Sequence, residues 1–189
     1  MFSDRLAPCL VQARLLCKRA NALYRLGDMT GSIATLQQGL ARIDCEAEPR
    51  LYFMLQSNLA ERLTEIGQTA EAEVMFPELL RLQDHVGNGL NQIRLRWLEG
   101  KIDAGLGRID QAIETLAWVR AAFDLEHVHY DEALAGMELA GLYLEQGRTV
   151  DVKRLVLQME PVAGDGHRGA GKKSRRLPLP SAAQPGAAF

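Results

Sequence analysis

The chain has 189 residues, of which 47% are hydrophobic, 24% charged and 6% aromatic, with a formal net charge of -2, a balance ordinary for a globular protein. Leu, Ala, Arg, Glu and Gln are plentiful and β-branched runs are absent, which disfavours a sheet and favours helices. No apolar stretch approaches the roughly 20 residues that span a bilayer, and Asp4, Arg5, Arg14, Lys18 and Arg19 interrupt the beginning of the chain, so neither a membrane span nor a secretory signal is expected and the location reads as cytoplasmic.

In chain order, the strongest signal is a repeat. Gly27, Gly67, Gly107 and Gly147 recur every 40 residues. Seven residues before them lie Ala20, Ala60, Gly100 and Ala140, all small, and nine after them lie Leu36, Phe76, Leu116 and Val156, all large and apolar. A glycine that accepts the left-handed conformation ends one helix and lets a second fold back on it. The small residue permits close approach and the large one fills the gap between the pair. The expected helices are 5–26 with 29–43, 50–66 with 69–84, 89–106 with 109–124, and 129–146 with 149–160. Leu55, Leu59, Leu63 and Ile66 show the helical spacing, as do Ile109, Ala112, Ile113 and Leu116. Thr69 and Thr149 suit N-caps, Pro49 a helix start and Pro161 a stop. Pro77 falls inside the fourth helix, where it is expected to kink or split it at a cost of about 3 kcal/mol. One hairpin cannot bury its apolar faces alone, so the four must stack into a solenoid.

This skeleton resembles the tetratricopeptide repeat over residues 13–160, most closely in Ala20-Asn21-Ala22-Leu23-Tyr24-Arg25-Leu26-Gly27-Asp28. The 40-residue period exceeds that family's usual one of about 34 and is similar to the repeats of bacterial regulatory proteins. The resemblance implies an all-α fold, an α-solenoid wound as a right-handed superhelix of four helix-turn-helix repeats over residues 1–160. It also implies a recognition surface on the first helix of each pair. Carried over by position, that surface takes Arg14, Cys17, Asn21, Tyr24 and Arg25 from the first unit, Ser57, Asn58 and Glu61 from the second, and Arg94, Trp97 and Lys101 from the third. Asn21, Asn58 and Arg94 match part of the arrangement with which some members hold a peptide's C-terminal carboxylate, although Cys17 and Leu98 replace basic residues of that pattern. Trp97 could anchor a partner side chain or pack between helix pairs, whereas Trp118, on a second helix, reads as core.

Other chemistry is weakly represented. Cys9, Cys17 and Cys45 are odd in number and lack CxxC spacing, which argues against disulfides or a zinc site. His127, His129, Asp131 and Glu132 are metal-ligand types, but residues two apart on a helix point about 200° away from each other, so no metal is expected. Gly166 to Lys173 comes near a phosphate-binding loop, but Lys173 stands where Ser or Thr must hold magnesium. No catalytic constellation or cofactor site is recognised.

From Pro161 the helical pattern stops. Residues 161–189 hold four of the seven prolines and carry Arg168, Lys172, Lys173, Arg175 and Arg176 against Asp165, so a disordered basic tail is expected beside an acidic body. An acidic body disfavours nucleic acid as a ligand. Because Leu155, Val156 and Leu157 at the end of the repeats still need cover, the tail is consistent with truncation or a frameshift of a longer repeat protein. The function expected is a protein- or peptide-binding scaffold without chemistry of its own, suited to an acidic segment or a C-terminus. The alternative is a regulatory fragment acting on a bacterial transcription or sigma factor. Homodimerisation through the uncapped last repeat is a further expectation.

Overall fold

The computed structural model describes residues 3–86 and 89–159, with side chains from Leu10 onward. These residues form eight α-helices: α1 (Ser3–Arg25), α2 (Met29–Leu40), α3 (Pro49–Glu65), α4 (Thr69–Val86), α5 (Gly89–Gly105), α6 (Ile109–Leu125), α7 (His129–Glu145) and α8 (Thr149–Met159). Among the described residues there is no strand, and no helix is long and apolar enough to cross a membrane. The expected basic tail lies outside the described residues.

Consecutive helices pack as hairpins, α1 on α2, α3 on α4, α5 on α6 and α7 on α8, and each hairpin stacks on the next. The four periodic glycines stand at the four hairpin bends, with φ of +82°, +81°, +77° and +68°. An L side chain is strained in that conformation, whereas glycine adopts it freely. At every bend the glycine N–H donates three residues back, and the next N–H donates five back at 2.8–3.0 Å, from Asp28 to Leu23, Gln68 to Leu63, Arg108 to Asp103 and Arg148 to Tyr143. Carbonyls orphaned at the helix end thus find donors. A fifth bend has the same bonds without glycine: His127, between α6 and α7, has φ +58° and is followed by a Val128 N–H bond to Phe123. There α6 folds onto α7 as closely as the helices of a repeat fold together.

The small–large register holds in the first three repeats and slips in the fourth. Ala20, Ala60 and Gly100 are buried, and a Cβ on Gly100 would come within 3.0–3.1 Å of Leu116. Leu36 and Leu116 are fully buried, and Phe76 is half-buried beside the buried Leu79. In α8, however, Val156 is 49% exposed and Leu155 takes the inward place. Three further expectations change. Thr69 and Thr149 are the first residues of their helices instead of caps. The side chain that does cap is Asp28, whose carboxylate accepts the Gly31 N–H at 2.8 Å. Pro77 does not split α4, which runs unbroken to Val86, because its ring lies on the exposed side and the bond it forfeits ends at exposed Glu73, a carbonyl that water can serve. Pro49 opens α3 as expected.

The apolar core runs along the stack. One cluster joins α1 to α5 through Leu36, Leu55, Leu79 and Leu98, and two more join α5 to α8 through Leu116, Phe123 and Leu139. Trp97 packs against both of the latter, so the face that carries it rests on continuous packing.

Candidate functional site

The first helices of the hairpins share one face, and on it lies a groove of about 620 Å³. From α1 it takes Asn21; from α3 Arg50, Phe53, Met54, Ser57, Asn58 and Glu61; from the end of α4 Val86; from α5 Asn91, Arg94, Leu95, Trp97, Leu98 and Lys101; and from α7 Asp131. Met54 and Arg94, Ser57 and Trp97, and Glu61 and Lys101 are each 40 apart, so one turn of each repeat supplies one rung of the lining.

The rungs are tied across hairpins by charge. Lys101 Nζ lies 3.1 Å from Glu61 Oε1 and 3.6 Å from Glu138 Oε1, and 4.7 Å above the Trp97 ring. Trp97 Nε1 donates to Glu138, while its ring meets Phe123 edge-on at 5.5 Å. Glu61 also accepts from Arg62 at 2.8 Å, and Arg62, itself buried, lies 3.4 Å over the Tyr24 ring. Burial works to raise the Glu61 carboxyl, but Lys101 and Arg62 outweigh it and hold the group below its ordinary value. Burial likewise opposes the Lys101 ammonium, but Glu61 and Glu138 outweigh it and its value is raised. Both stay charged at neutral pH, and the charges are spent on one another.

Five of the seven residues expected to bind peptide come together here: Asn21, Asn58, Arg94, Trp97 and Lys101. Arg14 and Arg25 do not; both are exposed on α1 away from the lining. The groove is centred on α3 and α5, and α1 reaches it only through Asn21, while Arg25 closes its helix next to the Gly27 bend. The residues expected to match part of a carboxylate clamp are engaged with their neighbours: Asn58 Nδ2 donates to Asn21 Oδ1 at 3.5 Å and approaches Cys17 Sγ at 3.8 Å. Arg94 reaches Asp131 at 3.0 Å. Cys17 is buried, and burial pushes its thiol up, with the Asn58 amide offsetting part of the rise. Trp97 packs between hairpins, one of its two expected placements, and also lines the groove. Trp118 is only half-buried, with its indole nitrogen unpartnered among the described residues.

Sequence reasoning missed Arg50, Met54 and Asp131. Met54 was available, being 40 residues before Arg94; Asp131 carried no signal because its i+37 partnership with Arg94 is a property of stacking. Arg50 is the groove cation with no carboxylate partner among the described residues, since Arg94 and Lys101 both have one. The Ser57 hydroxyl is also buried without a partner there.

The histidine group at the start of α7 divides. Asp131 turns to Arg94, whereas Asp124, His129 and Glu132 bring ligand atoms within 4.8 Å of one another. Glu132 is shared with Arg120 at 3.5 Å, and the His127 and His129 rings stand 6.2 Å apart. A cation there would compete with Arg120 for Glu132. No family model matches the chain, and no curated protein matches it.

Proposed function

We propose that the chain is a tetratricopeptide-like scaffold that binds an extended peptide in the groove across α3 and α5, acting by recognition without catalysis. One observation carries the reading: a preformed groove that places Arg50, without a carboxylate partner among the described residues, beside the apolar side chains of Phe53, Met54 and Trp97. A rigid groove lowers the ordering cost of association, and an aromatic set in a packed frame is the usual anchor for a partner side chain. Of the three lining cations, Arg94 pairs with Asp131 and Lys101 with Glu61 and Glu138, which leaves Arg50 without a carboxylate among the described residues. The surplus charge belongs to Arg50 and favours an acidic side chain or a C-terminal carboxylate beside an apolar residue.

The test begins by panning displayed random peptides, some with free C-termini, on the full chain. The selected peptides are then titrated by fluorescence anisotropy against wild type, Arg50→Glu and Met54→Ser. Both side chains are exposed, so circular dichroism should be unchanged. Arg50→Glu is expected to weaken acidic peptides by about tenfold or more, equivalent to roughly 1.4 kcal/mol. Peptides that bind both variants as well as wild type would place recognition elsewhere.

A further inference from the structure

We infer that α7 is a self-pairing surface, which joins two copies of the chain about a two-fold axis at Met137. Among the described residues, the last hairpin is the one whose outer side no following hairpin covers. The same register position shows it: Cys17 is 3% exposed, Ser57 and Trp97 are half-buried, and Met137 is 59% exposed.

What lies open is an organised seam. Tyr130 (76% exposed), Leu134 (half-buried), Met137, Gly141 and Leu144 (58%) follow one another at intervals of 4, 3, 4 and 3 residues, the spacing with which one helix presents itself to another. A Cβ at Gly141 would touch nothing within 4 Å, so a helix can approach closely there. The five seam positions carry no charge, and three of the four carboxylates of α7 turn inward, Asp131 to Arg94, Glu132 to Arg120 and Glu138 to Trp97 and Lys101, while Glu145 stays exposed at the helix end. An uncharged seam favours an apolar occupant over a charged peptide.

The seam also complements itself. Run antiparallel about Met137, Tyr130 faces Leu144 of the second copy, and Gly141 faces the Ala133–Leu134 step, where the missing side chain leaves room for the leucine. The same symmetry sets exposed Glu145 opposite exposed His129, a carboxylate acceptor facing a ring N–H donor. Such isologous pairing is how two-fold dimers close. A reversible dimer follows. The surface lies on α7 and the test of the groove on α3, so either reading can fail without the other.

Sedimentation velocity on the full chain should show a concentration-dependent monomer–dimer equilibrium below about 100 μM. Met137→Glu and Leu144→Lys should each weaken it by about tenfold or more with helicity retained. In chains with Cys9→Ser and Cys45→Ser, Met137→Cys should form a disulfide with itself. Tyr130→Cys should cross-link to Leu144→Cys in preference to itself. A chain still monomeric at the top concentration would overturn the inference. So would a dimer untouched by Met137→Glu and Leu144→Lys, or Tyr130→Cys pairing chiefly with itself.

Discussion

At the scale of single residues, the five bends separate backbone strain from packing. A Cβ at Gly107 would meet no atom within 4 Å, so any cost of filling that position comes from its φ of +77° alone. Gly107→Ala is therefore expected to lose about 1–2 kcal/mol in urea unfolding. His127 already bears that strain at φ +58°, and His127→Gly should gain a little less, about 1 kcal/mol, since the unfolded chain becomes freer. No loss in Gly107→Ala together with no gain in His127→Gly would show that these bends carry no strain. The glycine bends are legible in the sequence because glycine is the residue their conformation selects. The His127 bend is not, because its backbone bonds are identical while its side chain announces nothing.

At the scale of helices, the pattern yields the eight elements to within a few residues, since each glycine marks an end and each apolar stripe a face. It misjudges what depends on neighbours. Intrinsic preference has Pro77 breaking α4, yet the helix passes through it. Solvent and tertiary packing absorb what intrinsic preference forbids. Replacing it tests this: Pro77→Ala should restore the missing bond to the Glu73 carbonyl and raise stability by about 1–3 kcal/mol, read as a higher midpoint in thermal unfolding. No gain would mean that the surroundings have adjusted to the ring. The register of α8 fails for a related reason. With no hairpin beyond it among the described residues, nothing there forces Val156 inward, and Leu155 faces the core instead.

At the scale of the whole molecule, Glu61, Lys101 and Glu138 link three hairpins through side chains that local pattern cannot pair. The repeat puts Asn21, Asn58, Arg94, Trp97 and Lys101 on one face, but it does not reveal their partners on the next hairpin. Glu61 has a depressed value, so its contribution is present above the ordinary 4.5 and is lost as pH falls through the lower folded value. Lys101 has a raised value, so its contribution is full below 10.5 and is lost as pH climbs through the higher folded value. Between those limits Lys101→Met should cost about 1–2 kcal/mol, intermediate between exposed and buried pairs. The gap from wild type should narrow below the ordinary carboxylate value as Glu61 protonates, measured by urea unfolding across pH. A constant gap would assign the loss to packing instead. The recurrence of one bend every forty residues bears on how far the units can be exchanged. Excising 68–107 would join like to like in the backbone, yet bring Leu116, which now leans on Gly100, against the methyl group of Ala60, where it must give way by a few tenths of an ångström. The units share a frame but have become individually fitted, and shuffling them would meet resistance inside the joints before it met any at the bends.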